Sequence, residues 1–309
     1  MKTAMLAFVL TFATLSAAAQ SIYSKAFGNP KHTPVIFLHG GPGYNAAAFE
    51  ATTAQKLADT GFYVVVYDRR GEGRSVEVPA AFTFEETFID LNAICTQYSL
   101  KNPILIGHSF GGVVATLFAE KHPKLTAAVV LVGAPVVMQE TFRTIISKSK
   151  DIYTVKNDVA NLKYISMLEN MDTKTMEYAS YCFGHAMQNG FYTTPSPSKE
   201  ASDIYLAFRA NPLSAHASKM TFEAPQGFLK NESYTSIDLT SSLQSLKAQN
   251  FRIYGLYGKD DGLYSAEQVA SLGKIIGPGN VQYLEHCSHN VFIDSQAQFI
   301  NAIASLKHK

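Results

Sequence analysis

The 309-residue chain contains no tryptophan and only three cysteines, and 17% of its residues are charged, for a formal net charge of +1. Each shortage removes a class of function. A balance so near zero argues against nucleic acid or an anionic membrane surface as the main partner. No block of like charge offers an interaction tail. Cys95, Cys182 and Cys287 allow at most one internal disulfide and leave a thiol over. Their spacing resembles neither a zinc site nor a CxxC redox pair. No GxxxxGK[ST] phosphate loop occurs, and "GEGRS" at 71–75 is too short for a dinucleotide fingerprint. Internal repeats and low-complexity tracts are missing as well.

The N-terminus stands apart. "MKTAMLAFVLTFATLSAAAQS" has one lysine, a short apolar stretch and then small residues ending in Ala17-Ala18-Ala19. This pattern predicts a secretory signal peptide over residues 1–19 with cleavage before Gln20. The expected product is an exported protein, periplasmic or secreted. No cysteine follows the cleavage point to take a lipid. Beyond it no run is long and apolar enough to span a bilayer, which needs about 20 residues.

What the chain does have is a 47% hydrophobic content, ample for one core carrying an inserted subdomain. Near-continuous apolar runs at 34–40, 62–68, 103–109 and 127–135 read as buried strands. Helical stretches separate them, one opening at Thr83 with Glu86 placed for a capping box. Strand alternating with helix predicts an α/β fold with a mostly parallel sheet. From 138 to 246 the rhythm gives way to helix-like segments, and it returns with strands at 251–258 and 281–287 and a last helix from about Asp294. The expected organisation is a core of residues 20–137 and 247–309 with a helical cap over 138–246.

"NPILIGHSFGG" (102–112) carries the chemistry. Glycines crowded around one hydroxyl could cradle a phosphate or clear space around a nucleophile, but the elbow has no lysine to meet a phosphate. Strand, GxSxG and helix together describe a nucleophile elbow at Ser109. A serine needs a base to take its proton, and the base needs an orienting carboxylate. In chain order, "KDDG" after the strand at 251–258 supplies Asp261, with Asp260 as the competing choice. "SHN" supplies His289, which lies past its strand, whereas His286 falls within it. Oxyanion donors are expected at the Phe110 N–H and in "HGGPG" (39–43), where Pro42 has no N–H and Gly41 is chosen. His39 and His108 are expected to brace and pack.

Taken together, "HGGPG", "DRRGEGRS" (68–75), "GHSFGG", "GKDDG" and "CSHN" resemble the α/β-hydrolase superfamily. The first two most resemble its proline iminopeptidase branch. The resemblance supports Ser109, Asp261 and His289 as a triad, Gly41 and Phe110 as oxyanion donors, and an architectural role for Asp68, Arg69, Arg70 and Arg74. It implies a serine hydrolase that needs no cofactor or metal and acts on a small molecule or short peptide. The chain departs from the branch in having Phe110 where a tryptophan is usual, and no insertion glutamate matches those that hold a substrate's free amine. Aminopeptidase and carboxylesterase therefore both stay open. Haloperoxidase-like chemistry on the same triad and a non-catalytic binding protein are lesser alternatives. Met176, Tyr178, Tyr181, Phe183 and Met187 of the insertion either line an apolar pocket or form its own small core. Oligomeric state is not legible.

Overall fold

A computed structural model describes residues 21–308; the expected signal peptide lies outside the described residues. Seven strands form one sheet in the order β1-β3-β2-β4-β5-β6-β7. They are β1 (Ser24–Phe27), β2 (Thr33–Leu38), β3 (Phe62–Tyr67), β4 (Ile104–His108), β5 (Ala128–Val132), β6 (Ile253–Gly258) and β7 (Val281–Leu284). All neighbours run parallel except β1, which pairs antiparallel with β3 at one edge. The short, half-buried "SKAF" of β1 carries no apolar run, so it escapes a reading based on apolar runs.

Side chains alternate across this sheet, as a period of two requires. Ile36 and Leu38 of β2 join one buried cluster, and Val35 and Phe37 join the other. On the first face lie α3 (Phe84–Gln97), α4 (Phe110–Lys121) and α12 (Ala266–Ile276). On the second lie α1 (Ala47–Phe49), running through a π-helical turn (Glu50–Ala54) into α2 (Gln55–Asp59), and the C-terminal α13 (Val291–Asp294) and α14 (Gln296–Ala304). Burial of each large aliphatic side chain here stabilises the fold by about 1.5–3 kcal/mol. Thr83 caps α3 by accepting from the Glu86 N–H, but the Glu86 carboxylate turns to the N–H groups of Ala81 and Phe82. The expected capping box is thus only half made.

Between β5 and β6 every named element is helical. α5 (Met138–Val155), α6 (Val159–Leu168) and α7 (Met176–Gln188) are followed by α8 (Lys199–Arg209), α9 (Ser214–Ala217), α10 (Glu223–Glu232) and α11 (Thr240–Ala248). The neck of this segment is pinned by an antiparallel bridge between Val137 and Asp238, with Met138 N–H donating to Ile237 and Leu239 N–H to Val136. Residues 240–246, read as part of the insertion, form most of α11, which packs on α4 and α12 and buries Leu243 and Leu246 in the sheet-side core. Among the described residues no helix is long and apolar enough to cross a membrane.

Candidate active site

Ser109 sits between β4 and α4 with φ 52° and ψ −124°, a region L-residues avoid. Such a conformation costs on the order of 1–3 kcal/mol and persists only where the surroundings enforce it. The enforcement is steric. A Cβ on Gly107 would lie 2.5 Å from the Gly111 carbonyl oxygen, and one on Gly111 would lie 2.1 Å from that of Leu38. Both glycines are needed so that the turn can close against β2, which leaves Ser109 at the C-terminal edge of the sheet, on the wall of a cavity.

Asp261 follows β6 and is 1% exposed; its Oδ2 lies 2.8 Å from His289 Nδ1, and its Oδ1 accepts from the Leu263 N–H. A carboxylate can only accept, so Nδ1 carries the proton and Nε2 is left with a free lone pair. That is the tautomer a base requires. Asp260 turns away and accepts from Thr194 Oγ1. His286 is not within β7, which ends at Leu284; it stands exposed on a turn with φ 49° and does not line the cavity. Four residues outside any strand, the first two of them a turn, carry the chain to His289.

Ser109 and His289 line one cavity of about 570 Å³. No hydrogen bond joins Ser109 to the imidazole among the described residues; contacts of this type tighten when substrate is bound. Gly41 and Phe110 line the same cavity, and their N–H groups have no partner among the described residues. The Gly41 backbone has φ 119°, a value glycine adopts without strain. Its loop is held from beneath. Arg69 donates to the carbonyls of His39 and Gly40 and pairs with Glu72, whose other contact is the Gly43 N–H. Asp68 accepts from Ala46 N–H and from both sides of the Arg74 guanidinium, and Arg70 pairs with Asp90. The arginine motif is therefore structural, and the buried Glu72 and Glu50 that complete it were not singled out in the sequence.

The Arg69 N–H donates to His39 Nε2, so His39 is neutral and gives its Nδ1 proton to Gly40. Burial, then the Arg69 charge, holds its pKa well below the usual value. His108 is pulled from 6.5 down to about 3 by burial and by the neighbouring His289, and its Nε2 meets the His289 carbonyl at 3.1 Å. Both imidazoles titrate lower folded than unfolded. Between pH 6.5 and about 3 the unfolded chain therefore binds protons that the folded chain refuses, and stability falls as pH falls. The limiting slope is about 1.4 kcal/mol per pH unit for each group. His108→Gln is expected to lose about 1–2 kcal/mol less than the unaltered protein on going from pH 7.5 to 5. Equal losses in denaturant titrations at the two pH values would contradict this.

The helical segment closes over this edge from two sides. Thr221 N–H donates to Gly43 and Asn45 to the His216 carbonyl, while Lys148 Nζ donates to the carbonyls of Asp261 and Tyr264. Of its five singled-out residues, Met176, Phe183 and Met187 line the cavity. Tyr178 is buried against Phe142 in a cluster continuous with the sheet-side core, and Tyr181 is 45% exposed. The pocket-lining alternative thus holds for three of the five.

The parallel sheet, the elbow at its edge and the facing histidine are the arrangement of the α/β-hydrolase fold, and residues 33–154 of the chain match the family described as alpha/beta hydrolase fold. Its similarities extend to the proline iminopeptidase-like branch. It is 36% identical over 118 residues to a proline iminopeptidase of Arabidopsis thaliana, covering 37% of this chain and 30% of that one. It is 33% identical over 119 residues to a non-heme chloroperoxidase of Kitasatospora aureofaciens, covering 38% and 42%. The matches thus span less than half the length of these relatives. The crystal structure of a proline iminopeptidase-related protein from Thermus thermophilus shares the fold with a TM-score of 0.63 at 22% identity, covering 92% of both chains.

Proposed function

We propose that this chain is a serine hydrolase that cleaves uncharged esters through an acyl-enzyme. In this reading Ser109 Oγ attacks the ester carbonyl as its proton passes to His289 Nε2, and the Asp261 carboxylate steadies the imidazolium that forms. The negative charge on the carbonyl oxygen is met by the N–H groups of Gly41 and Phe110. Collapse expels the alcohol, which takes the proton from His289. Water then repeats the sequence on the acyl-serine and releases the acid and the free serine.

The observation that carries the choice of ester over peptide is the cavity wall. Among the described residues no Asp, Glu, Lys or Arg lines it, whereas Met138, Met176, Phe183, Met187, Met220 and Phe222 do. An aminopeptidase must hold the substrate's ammonium, and an unpaired buried charge costs several kcal/mol. The insertion acids lie elsewhere: Glu169 pairs with Lys150 and Glu232 caps the Phe84 N–H. Wall chemistry therefore supports the esterase alternative over the aminopeptidase one.

The test is a substrate panel of p-nitrophenyl acetate and butyrate beside proline, alanine and N-acetyl-proline arylamides. Ester turnover is expected to exceed that of every arylamide by at least about 100-fold, about 2.7 kcal/mol in barrier. Rapid release from proline arylamide, lost when its nitrogen is acetylated, would overturn the ester reading and restore the peptidase.

A further inference from the structure

Three buried side-chain polar atoms have no hydrogen-bond partner among the described residues: Tyr67 Oη, Thr126 Oγ1 and Thr141 Oγ1. Of these residues only Thr141 lines the cavity, and it is 1% exposed. The lack of a partner is unusual for its position. A threonine within a helix can give its hydroxyl proton to the carbonyl four residues back. Thr52, Thr87, Thr96, Thr116 and Thr154 all do so here. In Thr141 the backbone N–H reaches the Val137 carbonyl at 3.3 Å, while the hydroxyl leaves that carbonyl alone. Leaving a buried hydroxyl unpaired is unfavourable, and a substrate atom that pairs with it recovers the loss.

The surroundings narrow what that atom can be. Tyr44, Tyr192 and Tyr234 also line the cavity, and their hydroxyls have no hydrogen bond among the described residues. Beside the imidazoles, the polar points of this wall are thus uncharged hydroxyls and the amides of Asn45, Gln226 and Asn290, set among methionine and phenylalanine. A hydroxyl both donates and accepts, so it suits a substrate hydroxyl, ether or carbonyl and cannot neutralise a formal charge.

We propose that Thr141 is a specificity-determining residue whose hydroxyl binds an oxygen function on the substrate, so that the preferred esters are neutral and oxygen-bearing, not plain hydrocarbon. This rests on the hydrolase reading above. It extends that reading by giving the apolar pocket one fixed polar contact, supplied by α5.

Binding and turnover are measured separately so that the two ideas can fail separately. Ser109→Ala protein is titrated calorimetrically with methyl octanoate and with its 2-, 3- and 5-hydroxy derivatives. At least one hydroxy isomer is expected to bind about tenfold tighter than the parent ester. Adding Thr141→Val should erase that advantage and leave methyl octanoate affinity unchanged. Since valine removes an unpaired hydroxyl and keeps the shape, the melting temperature should hold or rise. Equal binding of all four esters, an advantage that survives Thr141→Val, or a lowered melting temperature would each overturn the proposal. Failure of the intact protein to hydrolyse any of the four would overturn the hydrolase reading, while the binding comparison still decides the role of Thr141.

Discussion

His289→Ala and Asp261→Asn are each expected to lower kcat for p-nitrophenyl butyrate by about 10⁴-fold, on the scale set by triad deletions elsewhere. The two losses have different causes. Without the imidazole nothing takes the Ser109 proton. With asparagine at 261 the side-chain amide can donate to Nδ1, which would force the proton to Nε2 and leave an N–H, not a lone pair, facing Ser109. The bond at stake is the 2.8 Å contact between His289 and a carboxylate that is 1% exposed. Because the two side chains act as one unit, the double variant should be little worse than either single one. Asp260→Asn is the control: its contact is Thr194, and it should keep activity within a few-fold. A large loss in Asp260→Asn with a small one in Asp261→Asn would transfer the acid role.

Arg69→Met is expected to cost about 3–5 kcal/mol of stability, because it strands the Glu72 carboxylate in the interior. Arg69 and Glu72 have side chains only 3% and 0% exposed, and the arginine also holds the His39 and Gly40 carbonyls. Converting both residues, as Arg69→Met with Glu72→Leu, removes the stranded charge and should recover much of the stability. Activity should not recover, since the loop that presents Gly41 N–H has then lost both of its supports. Urea unfolding of the two variants beside the unaltered protein measures this. A single variant that costs less than about 1 kcal/mol would show that water reaches Glu72 and that the pair is not buried in solution.

The core was legible because buried parallel strands write near-continuous apolar runs, and "PVIFLHG", "FYVVVYD" and "PILIGHS" all lie close to observed strands. β1 was not, since a half-buried edge strand of four residues carries neither a run nor an alternation. α12 has an amphipathic pattern in "AEQVASLGKII", but only 11 residues of it, directly behind the acid loop. Placement of the candidate site residues was legible through strand ends: Ser109, Asp261 and His289 each follow a strand at one edge of the sheet. The cavity wall was not. Which of Met176, Tyr178 and Tyr181 faces inward depends on how α5 and α7 pack, and Thr141 carries no local signal at all. Glu72 escaped for a related reason, because a glutamate in a glycine-rich loop reads as solvated until Arg69 is seen to enclose it.

The central claim is that Ser109 is a nucleophile activated by His289. Fluorophosphonate labelling followed by peptide mass spectrometry tests it most directly, since the probe reacts with an activated serine whatever the natural substrate. One adduct is expected, on the peptide that carries Ser109, nearly abolished in His289→Ala. An adduct on another residue, or undiminished labelling of Ser109 in His289→Ala, would contradict it.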